Sequence, residues 1–163
     1  MQLLKIYYAY FSPGNTTEKV VSHIASSFQN YPVESINLTD YATRQEDYYF
    51  KENELLIIGV PAYGGRVPAP VVDALRHFTG SNTPVVLVAT YGNRDIDDTL
   101  IELKKNVIDK GFIPVGAASF VCQHTFLKEC AEGRPDEEDL KMAREFGDKL
   151  KERLRLLVTY DAG

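Results

Sequence analysis

The sequence has no tryptophan, two cysteines, two methionines and three histidines, and each scarcity removes a class of function. Cys122 and Cys130 stand eight apart, which fits neither a zinc-ligand spacing nor a CxxC motif, so the thiols read as packing residues of a reduced, intracellular chain. No carboxylate pair, nucleophile–base arrangement or metal-ligand cluster emerges. No apolar run approaches the roughly 18 residues of a membrane span, and no basic segment precedes an apolar one as in a secretion signal, so a soluble cytoplasmic protein is expected. A net charge of −5 argues against nucleic acid or an anionic membrane as partner and mildly favours partners with basic surfaces. No GxxxxGK[ST] and no GxGxxG follows the first apolar run, which disfavours a nucleotide triphosphatase and a dinucleotide-binding domain.

What is present is a well-patterned core. The 163 residues are 44% hydrophobic, and a domain of this size buries roughly 70% of its unfolded surface without disulfides or metals. A single domain over residues 1–163 is expected. Leu3 to Tyr10 reads as a buried strand that stops at Ser12-Pro13-Gly14-Asn15, and a helix follows at once. Val20, Val21, Ile24, Ala25 and Phe28 place one apolar stripe along roughly four turns. The turn therefore lies on a helix N-terminus. Small hydroxyl and amide side chains, a glycine and unpaired helical N–H groups at the positive end of the dipole suit an anion, so residues Ser12 to Thr17 read as a phosphate-binding loop. Ser, Asn and Thr at a helix start are equally ordinary caps, and that alternative stands beside the first.

The remaining chain repeats the strand-then-helix rhythm. Pro32 to Leu38 predicts a short edge strand. Thr39 to Asn53 is polar and tyrosine-rich, with Tyr41, Tyr48, Tyr49 and Phe50 as anchors of a short helix or ordered loop. Glu54 to Val60 carries an unbroken apolar run, the mark of a central parallel strand covered on both faces. Pro61-Ala62-Tyr63-Gly64-Gly65-Arg66 leads through Pro68 and Pro70 into a helix with Val71, Val72, Leu75 and Phe78, where proline suits the first turn. A fourth strand, Val85 to Thr90, ends in Tyr91-Gly92-Asn93-Arg94. Ile96, Leu100, Leu103, Val107 and Ile108 predict the next helix, closed by Lys110 and Gly111. Phe112 to Val121 is the fifth strand, Cys122 to Pro135 a polar loop, and Asp136 to Arg155 a charged final helix; residues 156–163 follow without an assignment. His23 and His77 fall on predicted helices.

Alternating strands and helices imply right-handed βαβ units, hence an α/β doubly wound sandwich with a five-stranded parallel sheet and helices on both faces. Ligands of such sheets bind beyond the carboxyl ends of the strands. All three candidate loops lie there.

These loops carry a resemblance. Ser12-Pro13, Pro61 to Pro68, Tyr91 to Arg94, and Gly133-Arg134-Pro135-Asp136 with Asp139-Leu140 resemble the SPxGTT, PxYGGRVP, YGNR and GRPDxxDL segments in the flavodoxin-like half of flavodoxin–ferredoxin fusion proteins. The chain is similar to short-chain flavodoxins over nearly its whole length, since no insertion splits the fifth strand. The strand order 2-1-3-4-5 with FMN at the switch point is the standard flavodoxin example and follows from that resemblance. No CxxCxxCxxxC run is present, so an iron–sulfur partner is expected to be a separate protein. The chain departs from the usual [ST]xTGxT loop by placing Gly14 at the middle threonine and Asn15 at the glycine. Asparagine tolerates a left-handed backbone better than most residues, so the turn survives with one hydroxyl fewer.

The resemblance implies FMN as cofactor and assigns the cofactor-binding residues: Ser12, Pro13, Gly14, Asn15, Thr16 and Thr17 at the phosphate; Pro61, Ala62, Tyr63, Gly64, Gly65 and Arg66 in the second loop; Thr90, Tyr91, Gly92, Asn93 and Arg94 in the third; and His124 on the ligand side. Tyr63 and Tyr91 would offer stacking faces to the flavin ring, each adding roughly 0.5–1.5 kcal/mol beyond burial. In flavodoxins a peptide of the second loop turns its carbonyl towards N5–H of the one-electron-reduced flavin, and Tyr63-Gly64 resembles that peptide. Arg66 and Arg94 either flank the flavin, raising its second potential, or instead face solvent or pair with Asp95 and Asp97. The implied role is electron transfer between redox protein partners, ferredoxin-like proteins or reductases. An FMN-dependent NAD(P)H:quinone or flavin reductase on the same fold and a module that has lost FMN are the alternatives.

Overall fold

The computed structural model describes residues 2–92, 96, 98–123 and 131–162, with side chains to Arg155. The strands are β1 (Lys5–Tyr10), β2 (Val33–Asn37), β3 (Tyr48–Tyr49), β4 (Glu54–Pro61), β5 (Phe78–Thr79), β6 (Thr83–Tyr91) and β7 (Phe112–Val121). The helices are α1 (Thr16–Ala25), α2 (Tyr41–Arg44), α3 (Ala69–Leu75), α4 (Thr99–Ile108) and α5 (Glu137–Ala162). Five strands form a parallel sheet in the order β2-β1-β4-β6-β7. The two-residue strands β3 and β5 pair only with each other, so the main sheet read in chain order is 2-1-3-4-5. The α/β doubly wound expectation holds.

The apolar run of β4 explains why this strand is central. Leu55 and Ile57 point to a core closed by Val20, Val21, Ile24 and Phe28 of α1 and its exit and by Ala143, Leu150 and Leu154 of α5. Leu56, Ile58 and Val60 point the other way, against Val71 and Leu75 of α3 and Leu103 and Val107 of α4. With period two and apolar layers on both sides, no position from Leu55 to Val60 is left for a polar residue. Each fully buried Leu or Ile contributes about 1.5–3 kcal/mol. Gly59 breaks the run for a steric reason: a Cβ there would stand 2.2 Å from Val21 Cγ2 and 3.1 Å from Thr17 Cγ2. Its absence lets the start of α1 press against the strand end.

Several boundaries differ from the sequence expectation. α1 spans ten residues, short of four turns, because the amides of Ser27 and Phe28 bond three residues back, to Ile24 and Ala25; the tightened exit still buries Phe28 completely. β2 is an edge strand in which only Ile36 is buried. In the tyrosine-rich segment Tyr48 and Phe50 pack inward, on Phe78, whereas Tyr41 and Tyr49 are exposed. Asp40 caps α2 by accepting the Thr43 amide at 3.0 Å. β6 starts at Thr83, one residue before Pro84, and its buried hydroxyl donates to the carbonyls of Phe50 and Lys51. His77 lies beyond the end of α3 and bonds Asp47 at 2.8 Å. α5 continues through the unassigned residues to Ala162. Among the described residues no helix is long and apolar enough to cross a membrane.

Candidate functional site

The sheet ends in a cavity of about 370 Å³ at the carboxyl edge of β1, β4, β6 and β7. Its first wall is the turn between β1 and α1. The Asn15 amide closes that turn on the Ser12 carbonyl at 3.0 Å, and Asn15 itself is left-handed, at φ 65° and ψ 3°. Ser12 is buried; its amide donates to Thr39 Oγ1 at 2.7 Å and its Oγ accepts the Glu18 amide at 3.0 Å. Ser12 is thus a helix cap, as the second of the two readings expects, and it also lines the cavity. Glu18's amide is consumed by the cap, while Thr16 and Thr17, which open α1, line the cavity with Ser12, Pro13 and Gly14. Their amides belong to the first turn, where no intrahelical acceptor exists. Asn15 does not line the cavity; it shapes the turn.

Thr17 crosses to the next wall. Its hydroxyl lies 2.8 Å from that of Thr90, both buried, so the start of α1 is tied to the end of β6. The ladder continues beyond the strands through Ala62 N–H to the Thr90 carbonyl and Cys122 N–H to the Tyr91 carbonyl, each 2.8 Å. The loops therefore peel away at one level. Pro61, Ala62, Tyr63 and Gly64 form the second wall and Thr90, Tyr91 and Gly92 the third. Tyr63 packs edge-on against Phe11, ring centres 6.2 Å apart, so this ring is held from beneath. Tyr63 and Arg66 exchange both backbone bonds, at 2.9 and 3.0 Å, around Gly64 and Gly65 at φ 57° and 75°. Such a two-residue turn needs positive φ at both central positions, which is why two glycines stand there.

Gly65 and Arg66 do not line the cavity. Arg66 bonds Glu102 on α4, a carboxylate the sequence did not single out in place of Asp95 and Asp97. The Arg66 guanidinium holds the Glu102 carboxyl below its ordinary value. Asn93, Arg94 and His124 lie outside the described residues.

Cys122 and Gln123 complete the lining, and sequence reasoning missed them. The only signal was their position immediately after an apolar strand, the same position that selected Tyr63 and Tyr91. Cys122 is buried, and burial pushes its thiol up to about 12, although the neighbouring Thr16 and Thr90 hydroxyls act the other way. It is a packing thiol that also faces the cavity. The Gln123 amide donates to the Arg134 carbonyl at 2.8 Å. Arg134 in turn forks onto Asp139, whose carboxylate accepts the Asp136 amide while the Asp139 amide donates to Asp136. The GRPDxxDL segment is thus the start of α5 fastened to the fourth wall.

No described lining residue carries a charged side chain. The cavity offers amides and hydroxyls at the α1 end and two tyrosine rings with glycines at the other. A second cavity of about 360 Å³, bordered by Leu3, Phe28, Tyr31, Lys151 and Leu154, lies at the opposite end of the sheet, beside the exit of α1. The dipole there favours a cation, so size alone does not choose between the two and polarity does.

No family model and no curated protein matches the sequence. Solved structures do. A flavodoxin from the domain Archaea superposes with a TM-score of 0.64 at 15% identity, over 93% of this chain and 99% of that one. A Fusobacterium nucleatum flavodoxin bound to flavin mononucleotide gives 0.62 at 16%, over 91% and 98%. The rubredoxin oxygen:oxidoreductase of the anaerobe Desulfovibrio gigas gives 0.61 at 14%, over 95% of this chain and 37% of that one. Strand order, the distribution of helices over the two faces and these superpositions agree that the chain has the flavodoxin-like fold.

Proposed function

We propose that this chain binds FMN non-covalently in the cavity at the carboxyl edge of the sheet and carries electrons between redox partner proteins in the cytoplasm. The observation that supports this most is the cavity's polarity: a helix N-terminus faces one end, two tyrosines and two glycine-containing loops the other, and no charged side chain lines the described walls. A phosphate monoester fits the first end. The amides of Thr16 and Thr17, the hydroxyls of Ser12, Thr16 and Thr17, and Gly14, which leaves the backbone uncovered, would hold it. A planar aromatic ring fits the second, where Tyr63 and Tyr91 supply faces and Gly64 and Gly92 leave room beside them. FMN, when bound, supplies the exchange of one or two electrons.

The protein's own contribution is to bind, orient and exclude. The neutral walls disfavour accumulation of negative charge on a reduced ring and so keep its potential low. Cys122, held as a thiol by burial, adds no charge. Arg66, the nearest described cation of the second loop, is paired with Glu102. The fold of the flavin-bound Fusobacterium nucleatum protein supports the same reading.

The deciding experiment is an FMN titration of the purified apoprotein followed by absorbance and flavin fluorescence, then addition of NADH or NADPH without oxygen. One FMN bound per chain, with no bleaching by the nicotinamide, is the expected result. Bleaching would replace the carrier by a reductase, and no binding would leave the scaffold with another ligand.

A further inference from the structure

The tip of the Tyr63–Arg66 turn is exposed at Gly64, and a Cβ built there would meet no atom of the described residues within 4 Å. Its shape must be held from its base, and the base is gripped by α4. Gly65 accepts the Asp98 amide at 3.1 Å. Glu102 then uses both carboxylate oxygens, Oε1 accepting the Val67 amide at 2.7 Å and Oε2 the Arg66 guanidinium. Val67 is buried at 6% exposure, so its N–H has little access to water as a substitute acceptor. The Arg66 side chain is 64% exposed and that of Glu102 23%, which makes the ion pair the weaker half of the grip and the backbone bond the stronger.

We infer that Glu102 is a positioning residue that holds the Tyr63–Arg66 turn in one shape and cancels the charge of Arg66 beside the cavity. The turn provides Tyr63 and Gly64, two of the cavity's walls. Two adjacent glycines at positive φ give its backbone conformational alternatives that other residues lack, so whatever selects among them sets the form of that wall. A carboxylate on a neighbouring helix does so without entering the cavity. The second half of the inference rests on the FMN reading above; the first half does not.

Amide exchange of the apoprotein tests the grip. In E102A the amides of Tyr63, Arg66 and Val67 should exchange at least tenfold faster than in the parent, with the β4 interior from Leu56 to Ile58 unchanged. In E102Q, whose amide oxygen still accepts from Val67, the acceleration should be smaller. Exchange at the parent rate in E102A overturns the positioning role. Potentiometry of the FMN-loaded proteins tests the charge. E102Q should shift the second couple to a less negative potential, and R66Q/E102Q should return it to the parent value, a reversal that loosened packing alone would not produce. An unmoved potential in E102Q overturns the charge role. A chain that binds no FMN overturns the cofactor reading and with it the charge role, while the exchange experiment still decides the grip.

Discussion

The hydroxyls of Thr17 and Thr90 lie 2.8 Å apart in the buried floor of the cavity, bonding the first turn of a helix to the end of a strand 73 residues away. One hydroxyl donates and the other accepts. Removing one partner strands the other. T17V and T90V should each lower the unfolding free energy by about 1–3 kcal/mol, the desolvation penalty of a buried unpaired group. The double variant T17V/T90V should lose clearly less than the sum of the two. Urea denaturation of the four proteins checks this, and strict additivity would show that the hydroxyls do not act as a pair.

Asn15 occupies the left-handed region at φ 65° with no side-chain bond capping the helix. Its value is therefore conformational. A left-handed backbone costs an ordinary side chain roughly 1–2 kcal/mol, which Asn partly escapes and Gly avoids. N15A should destabilise the fold by about 1 kcal/mol, and N15G should not destabilise it. Because residue 15 shapes the turn without lining the cavity, N15G should also bind FMN at least as well as the parent, measured by the same titration.

Acid should reach the fourth wall through Asp139. Its side chain is only 9% exposed, and the Arg134 guanidinium, opposed by burial, holds its carboxyl below the ordinary value. The unfolded carboxyl titrates near its ordinary value of about 3.9. A folded value below the unfolded one means that the unfolded state binds the proton first as pH falls. The contribution is complete above about pH 5, and it is lost as the pH falls through the depressed folded value. D139N removes the charge at every pH. At neutral pH it should cost about 1.5–3 kcal/mol, the worth of hydrogen bonds to a charged group. The gap between parent and D139N, followed by urea midpoints from pH 7 to pH 3, should stay constant above about pH 5 and narrow below pH 4. A gap unchanged down to pH 3 would show that Arg134 does not stabilise the ionised carboxylate.

The sequence by itself determined the alternation of strands and helices, the central place of β4 and the three loops at one edge. Those features rest on period, run length and turn residues, which are local and survive without knowledge of any neighbour. Glu54 to Val60 carries the apolar run typical of a strand covered on both sides, and Asn15 could be recognised as a residue able to turn left-handed. Tertiary structure decided the rest. Arg66 and Glu102 are 36 residues apart, and nothing in either neighbourhood selects Glu102 over the acidic residues that sit closer in sequence. Cys122 and Gln123 entered the cavity because β7 runs parallel to β6 and ends at the same level, a matter of sheet register. The Ser12 amide found its acceptor in Thr39, which lies just beyond the end of β2. Such pairings are set when the helices pack onto the sheet, where buried donors and acceptors must be matched across the chain, and local sequence carries no record of which partners will meet.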